Sequence, residues 1–257
     1  MIKYLTVEKF DNTKLVKTFM TPKQDVRWRI YSHNAENNME DLKYYKSLGD
    51  IFGITPYDMI RIPQNHTDNI MIAKKEDGGK GVVRMEVSGD FDGIITNEKG
   101  LMLLTIEADC TPVYILDPVS KVIGMVHSGW RGTVNEISEK AIDIMIENYG
   151  TNKKDVMIYL GPAICGNCYE VGMDLIPEFK KILSCEEIYK FFKPMIDKPE
   201  KYLIDVTEAI RLSLIKYGID EKNIERSNFC TYHSDIFFSW RKTKDRTKQM
   251  LTGIMLL

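Results

Sequence analysis

Residues 101–132 of this 257-residue chain read LMLLTIEADCTPVYILDPVSKVIGMVHSGWRG and contain three apolar runs. Residues 101–108 are too apolar to leave one face in water, which predicts a strand buried on both faces. Residues 113–116 and 122–126 flank a turn-forming Asp-Pro-Val-Ser segment at 117–120, so they predict a β-hairpin. The stretch therefore predicts three strands at the centre of a sheet-based core.

Metal-ligating side chains end three of the predicted strands. Cys110 follows the first apolar run, His127 ends the third, and His66 ends a strand-like segment upstream. A thiolate and two imidazoles suit zinc, and three protein ligands leave the fourth tetrahedral position open, as in catalytic zinc sites. Copper also binds such a set, but the four histidines of the whole chain are too few for a multicopper oxidase. The sequence thus predicts a metalloenzyme with Zn²⁺, in preference to copper, at His66, Cys110 and His127.

Strands and helices are interspersed along the rest of the chain. Residues 39–52 have the apolar spacing of an amphipathic helix, and helices at 132–149 and 205–218 are predicted to stop at Gly150 and Gly218. Further strands are predicted at 3–7, 26–31, 58–63, 69–73, 156–160, 237–241 and 250–257. Because there is no regular βαβ alternation and no composition shift marking a linker, we expect an α+β fold in a single domain, 1–257.

Composition and charge exclude several classes of partner. The net charge of −2, from 35 basic and 37 acidic residues, gives no electrostatic case for nucleic acid or an anionic membrane. No apolar run is long enough to span a bilayer, and Glu8 and Lys9 interrupt the first segment before a signal-peptide core forms. Five cysteines are an odd number for a disulfide framework. We therefore expect a cytoplasmic protein with reduced thiols.

Several short motifs resemble those of one known family, and they occur in the same order. They are DGIIT at 92–96, TIEADCTPV at 105–113, HSGWRG at 127–132, GPAI at 161–164, CYEVG at 168–172, CT at 230–231 and FFSWR at 237–241. The pattern resembles the YfiH/LACC1 family, also called the polyphenol oxidase laccase-domain or peptidoglycan editing factor family, from about Gln64 to the last residue. Several motifs in order are more specific than one alone. The first quarter of the chain departs from the family's pattern.

The resemblance implies a fold and an activity. The fold would be a mixed α/β/β/α layered sandwich of the YfiH-like type. The activity would be zinc-dependent phosphorolysis of purine nucleosides such as adenosine and inosine, with adenosine deamination and methylthioadenosine phosphorolysis beside it. The partners would be a nucleoside and phosphate, and the protein would be a monomer or homodimer. Three alternatives remain: a peptidoglycan precursor editing hydrolase, a copper-dependent polyphenol oxidase (laccase), and a non-catalytic zinc-binding module.

Polar residues beside the predicted ligands are candidates for catalysis and substrate binding. Cys110 is a candidate catalytic residue as well as a ligand. Asp109 can handle a proton or, equally, cap a turn or pair with Arg131. Arg131 follows a predicted helix start, where a guanidinium suits a phosphate, although a structural ion pair is as common. Arg241 is open to the same two interpretations.

Aromatic residues and the remaining thiols complete the set of candidates. Trp130 and Phe238 can stack a purine, although such aromatics are more often core residues. The CxxC motif at 165–168 alone is a weak indication of zinc or redox chemistry, and we interpret it as two reduced thiols near the pocket rim. The segment CTYH at 230–233 can supply a nucleophile–base pair, but a structural role is favoured.

Overall fold

The computed structural model describes residues 2–24, 26, 28, 35–84 and 87–257 of the chain, with the backbone alone at 35–41. The α-helices in these residues are α1 (Glu8–Asp11), α2 (Ala35–Phe52), α3 (Trp130–Val134), α4 (Ile137–Tyr149), α5 (Leu175–Phe179), α6 (Cys185–Phe191), α7 (Val206–Tyr217) and α8 (Trp240–Thr243). None of the helices in the described ranges combines the length and the apolar character that crossing a membrane requires.

The strands form two large mixed sheets and one small sheet. They are β1 (Val16–Met20), β2 (Met59–Arg61), β3 (Ile70–Ile72), β4 (Gly93–Thr96), β5 (Met102–Glu107), β6 (Thr111–Asp117), β7 (Val122–Ser128), β8 (Met157–Leu160), β9 (Glu170–Gly172), β10 (Phe192–Met195), β11 (Lys198–Ile204), β12 (Ile224–Arg226) and β13 (Met250–Leu256). One large sheet has the order β1-β13-β5-β2 and the other β12-β8-β6-β7-β4-β3, whereas the small sheet is β10-β11-β9. The pairs β2–β5, β3–β4 and β12–β8 are parallel, and the other pairs are antiparallel.

The two large sheets pack face to face, and each carries helices on its outer face. Strand β6 shows this arrangement, because Val113 and Ile115 pack towards α4 and α7, while Tyr114 and Leu116 pack towards the other sheet. Neighbouring side chains of a strand point to opposite faces, so a strand covered on both sides is apolar throughout. On the outer face of the four-stranded sheet, helix α2 covers β5 and β13. The expected α+β fold with α/β/β/α layers is therefore confirmed.

Three local predictions were wrong, and two of them have a local cause. The helix expected at 132–149 is divided into α3 and α4, because Glu136 adopts a left-handed conformation with φ of 56°. The strand expected at 237–241 is not formed, since the Ser239 hydroxyl accepts a hydrogen bond from the backbone N–H of Lys242 and caps α8. Residues 3–7 contribute only a bridge of Leu5 to Met20. Most of the strand predicted at 26–31 lies outside the described residues.

Replacing Ile115 by Ala should destabilise the fold strongly. Ile115 of β6 is fully buried and packs towards α4 and α7, so truncation removes apolar contacts and leaves a cavity. We expect the free energy of unfolding in urea to fall by about 2–5 kcal/mol. The control is Val119→Ala in the β6–β7 turn, where Val119 is 70% exposed and truncation should change stability by at most about 0.5 kcal/mol. Equal unfolding midpoints for the two variants would contradict this assignment of the core.

Candidate metal centre

Three potential metal ligands converge at one end of the six-stranded sheet. Cys110 directly precedes β6, His127 is the penultimate residue of β7, and His66 lies in the loop before β3. The three ligand atoms lie within 4.8 Å of one another, and His66 Nε2 is 3.8 Å from Cys110 Sγ. One zinc ion can contact all three atoms at bond lengths of about 2.0–2.3 Å. The structure thus brings together the three residues selected from the sequence, and their role as ligands stays a prediction.

A buried aspartate positions two of these ligands. Asp92 Oδ1 is 2.8 Å from His127 Nδ1, and the Asp92 carbonyl oxygen accepts the backbone N–H of His127 at 2.7 Å. Asp92 Oδ2 accepts the backbone N–H groups of Asn65 (3.1 Å) and Thr67 (2.7 Å) and the Thr67 hydroxyl (3.0 Å). These bonds hold the loop in which His66 has a φ of 61°. A carboxylate on one imidazole nitrogen directs the other nitrogen towards a metal.

Cys110 and His127 are charged over a wide pH range. Burial opposes ionisation of the Cys110 thiol, but the charge of His127 and the hydrogen bonds of His127 and His66 lower its pKa to about 6. Burial also opposes protonation of His127, but the Cys110 thiolate and the hydrogen bond with Asp92 raise the pKa of the imidazole to about 10. At neutral pH the thiol is therefore a thiolate, which is the form that binds metals, whereas His127 would release a proton on binding one.

Two neighbours of the cluster were not identified from the sequence. A Cβ atom on Gly129 would lie 2.9 Å from Cys110 Sγ and 3.3 Å from His66 Cδ2, so a side chain here would crowd the ligands. Glu107 is buried, and its Oε2 accepts the Thr252 hydroxyl at 2.9 Å, whereas its Oε1 has no partner among the described residues. Burial raises the pKa of Glu107 to about 7. The sequence did contain a signal for Glu107, because a glutamate at the end of a strand buried on both faces is unusual.

Asp109 connects three segments around the cluster. Its Oδ1 accepts the Thr231 hydroxyl and its Oδ2 accepts the backbone N–H of Arg241, both at 2.6 Å. Its carbonyl oxygen accepts the backbone N–H of Ile164 at 3.0 Å. The carboxylate thus bonds to Thr231 and to the backbone of Arg241 rather than to Arg131, and its part in proton handling stays a prediction. Because Asp109 is the neighbour of Cys110, its bonds also fix the strand end that presents the thiol.

Two guanidinium groups near the site each stack on an aromatic ring. The Arg131 guanidinium lies 4.3 Å from the centre of the Trp130 ring, and that of Arg241 lies 4.7 Å from the centre of the Tyr169 ring. Burial raises the pKa of Tyr169, as does the charge of Cys110, while Arg241 and Arg131 both lower it. The phenol, both arginines and the thiolate are therefore electrostatic neighbours. Tyr169 lies in the CYEVG motif, but the sequence analysis did not select it.

The two aromatic candidates have different surroundings. Trp130 is half-buried and packs against the core beside α4. Phe238 is buried in the core between the sheets, where its backbone N–H donates to Met250 Sδ at 3.2 Å. The Lys23 ammonium lies 5.9 Å from the centre of the Phe238 ring. Stacking of a purine on either ring stays a prediction.

The structure also joins two motifs that the sequence analysis treated separately. The thiols of Cys165 and Cys168 meet Cys230 and His233, and the four ligand atoms lie within 4.8 Å of one another. Cys168 Sγ is 3.2 Å from His233 Nε2. The CxxC motif thus belongs to a group with three thiols and an imidazole. The sequence signal for this group was that the potential ligands in 165–168 and in 230–233 are each separated by two residues. Nothing in the sequence indicated that the two segments meet.

Comparison with known proteins identifies the family. Residues 31–257 match the family described as multi-copper polyphenol oxidoreductase laccase. The chain belongs to this family. It is 28% identical to purine nucleoside phosphorylase YlmD of Bacillus subtilis over an alignment of 229 residues. This alignment covers 86% of this chain and 79% of the relative. Adenosine deaminase RL5 of an unknown prokaryotic organism is 26% identical over 263 residues, covering 97% of this chain and 98% of the relative.

The fold agrees with this assignment. The crystal structure of the hypothetical protein YfiH of Bacillus licheniformis superposes with a TM-score of 0.87 at 27% identity, over 100% of this chain and 97% of that one. The resemblance drawn from the motifs is therefore confirmed. The family and its relatives support an enzymatic role for the chain.

Replacing Asp92 by Asn should weaken metal binding while leaving the fold intact. The amide keeps the shape of the carboxylate but loses the charge that orients His127, and such changes typically reduce metal affinity about 10- to 100-fold. The readout is the zinc concentration that half-protects Cys110 from alkylation, followed by peptide mass spectrometry. The control is Asp90→Asn in the same loop, since Asp90 Oδ1 accepts only the Asn65 side-chain amide among these groups, at 2.6 Å. Equal protection in both variants would refute the positioning role of Asp92.

Alkylation of Cys110 in the metal-free protein should follow the lowered pKa of its thiol. Because the thiolate persists down to a pKa of about 6, the iodoacetamide rate should be constant at neutral pH and fall as the pH drops through about 6. In His127→Gln the charge that stabilises the thiolate is lost, so the midpoint should rise towards the ordinary thiol value of about 8.5. An unchanged midpoint in that variant would show that His127 does not lower the pKa of Cys110.

Proposed function

We propose that this protein is a zinc-dependent purine nucleoside phosphorylase. The observation that carries the proposal is the convergence of His66, Cys110 and His127 as a group of three, which leaves one position of a tetrahedral site for a substrate. The name of the relative YlmD supports the reaction class. A non-catalytic zinc module is disfavoured, because such a module would close the fourth position with a protein ligand.

The donor set fits zinc better than a copper oxidase centre. One thiolate and two imidazoles are common zinc ligands, and the Cys110 thiol is ionised at neutral pH. A laccase needs several copper ions, and four histidines in the chain cannot supply them. Bound zinc would supply Lewis acidity and a template for orienting the phosphate.

Two arginines are suited to hold the phosphate. Arg131 is exposed and Arg241 half-buried, and both act on Tyr169 together with Cys110. Arg241 Nε is buried without a hydrogen-bond partner among the described residues, so this donor can serve an anionic oxygen. Planar guanidinium groups bind phosphate through paired hydrogen bonds. We infer that these side chains orient phosphate for attack on the anomeric carbon of the nucleoside.

The reaction balances with the groups in this site. The C–N glycosidic bond breaks as a C–O bond to phosphate forms, and the departing purine takes up a proton at its ring nitrogen. Phosphate monoanion carries such a proton, and the half-buried Tyr169 phenol, whose pKa is raised, remains a hydrogen-bond donor. Asp109 accepts two hydrogen bonds, so we assign it to positioning Cys110 and the backbone of Arg241. Trp130 carries Arg131 on its face, so we retain it as the candidate for stacking the purine.

Deamination of adenosine is a second candidate. The similarity to adenosine deaminase RL5 extends over nearly the whole of both chains, which favours it as an accompanying activity. An open metal position also suits activation of water for attack on the amino-bearing carbon of a purine. The two reactions are distinguished by their dependence on phosphate, because only phosphorolysis consumes it.

Zinc-loaded protein should release base from inosine and adenosine only when phosphate is present. In His127→Ala, base release should fall to the background rate, since a metal ligand and its charge are lost. The readout is chromatography of base, nucleoside and ribose 1-phosphate, with the metal content of each sample measured.

The matched control is Cys185→Ser, because Cys185 is exposed at the start of α6 and belongs to neither ligand group. This variant should retain the full rate. Conversion of adenosine to inosine without phosphate would indicate the deaminase activity. Zinc-loaded protein that neither cleaves nor deaminates a nucleoside would refute the proposed function.

A further inference from the structure

Two turns, far apart in sequence, present four metal-ligating side chains to one another. In the first turn the backbone N–H of Cys168 donates to the carbonyl oxygen of Cys165 at 3.0 Å. In the second the N–H of Ser234 donates to the carbonyl oxygen of Cys230 at 2.9 Å. Each turn therefore places its two ligands, separated by two residues, on the same side. His233 supplies the fourth ligand, and all four ligand atoms lie within 4.8 Å of one another.

We propose that Cys165, Cys168, Cys230 and His233 bind a second zinc ion with a structural role. Three thiolates and one imidazole complete a tetrahedral zinc sphere and leave no open position, as in structural Cys₃His sites. The two-residue spacing within each pair is also typical of such sites. The group therefore differs from the three-ligand centre at His66, Cys110 and His127 in both ligand number and function.

Contacts within the cluster favour a metal over a disulfide. The backbone N–H of Cys165 donates to Cys230 Sγ at 3.3 Å, and an N–H group in this position stabilises a thiolate. A disulfide would use two sulfur atoms and leave the third thiol and the imidazole of His233 without a function. Zinc uses all four groups. The three cysteines are half-buried and His233 is exposed, so an ion can reach them from solvent.

The second ion would stabilise the wall of the candidate active site. Thr231 lies between Cys230 and His233, and its hydroxyl donates to Asp109 Oδ1 at 2.6 Å. The backbone N–H of Thr231 donates to the carbonyl oxygen of Ala163 at 3.0 Å, two residues before Cys165. The second turn and the residue before the first turn therefore both bond to Asp109, the neighbour of Cys110, because the backbone N–H of Ile164 donates to the Asp109 carbonyl oxygen. A zinc ion joining the two turns would connect residues 65 positions apart in the chain and would fix the position of Asp109.

The test counts zinc in each variant by elemental mass spectrometry after purification under reducing conditions. We expect two ions per chain in the wild type, one in His127→Ala, one in Cys168→Ser and about none in the double variant. Cys185→Ser, the thiol control outside both clusters, should keep two. The result is independent of nucleoside cleavage, so an inactive protein with two zinc ions would refute the proposed function and leave this inference intact.

Two further measurements keep the test valid if Cys168→Ser folds poorly. Cobalt(II) bound to His127→Ala should show strong sulfur-to-metal charge-transfer absorption, because the remaining site has three thiolates. In His233→Ala, which alters only an exposed side chain, a chelator should remove this ion at least about tenfold faster, since an open sphere admits competitors. One zinc in the wild type with none in His127→Ala would overturn the proposal, as would a disulfide among Cys165, Cys168 and Cys230 in freshly purified reduced protein.

Discussion

The arrangement of the candidate active site depends on the hydrogen bonds of one buried carboxylate. Asp92 precedes β4, and its two oxygen atoms bond to His127 and to the backbone on both sides of His66. The pairing of β4 with β7 brings Asp92 and His127 together, because Gly93 is opposite Val126. A charge buried in this way is tolerated only when it is paired and hydrogen-bonded. The strand pairing therefore positions Asp92 beside His127, and the hydrogen bonds of Asp92 hold the candidate ligands in place.

Asp109, the neighbour of Cys110, also positions several segments of the site through its hydrogen bonds. Its contacts join the ends of the 163–168 and 230–233 segments to the start of α8. The proposed structural ion would hold the two segments together, while the proposed catalytic ion would lie beside Cys110. Coordination number separates the two roles, since four protein ligands close a site and three leave it open to a substrate. The description of the family implies several copper ions, but the four histidines of this chain are too few to bind them.

Much of the candidate site was predictable, and the omissions have a common cause. His66, Cys110 and His127 stood out because each follows or ends a predicted strand. Two of those strands, β2 and β5, lie in the four-stranded sheet and β7 lies in the six-stranded sheet, so the meeting of the three ligands depends on how the two sheets stack. Asp92 was visible within a motif, yet its role depends on the β4–β7 pairing. The four-ligand cluster was not predictable, since the segments of Cys165 and Cys230 meet through tertiary contacts such as the parallel bridge between Ala163 and Cys230. Tyr169 was missed because its importance arises from two arginines that are distant in sequence.

The sequence by itself determined the central strands, the β6–β7 hairpin, the main helices and the chemical types of the ligands. These features arise from short-range periodicity, turn residues and side-chain chemistry. The tertiary structure decided the order of strands in each sheet, the stacking of the two sheets and the meeting of the two turns. It also changed local structure, as where Ser239 begins α8 instead of continuing a strand. Apolar runs specify that a strand is buried, but not which strand pairs with it, because pairing depends on packing between distant segments.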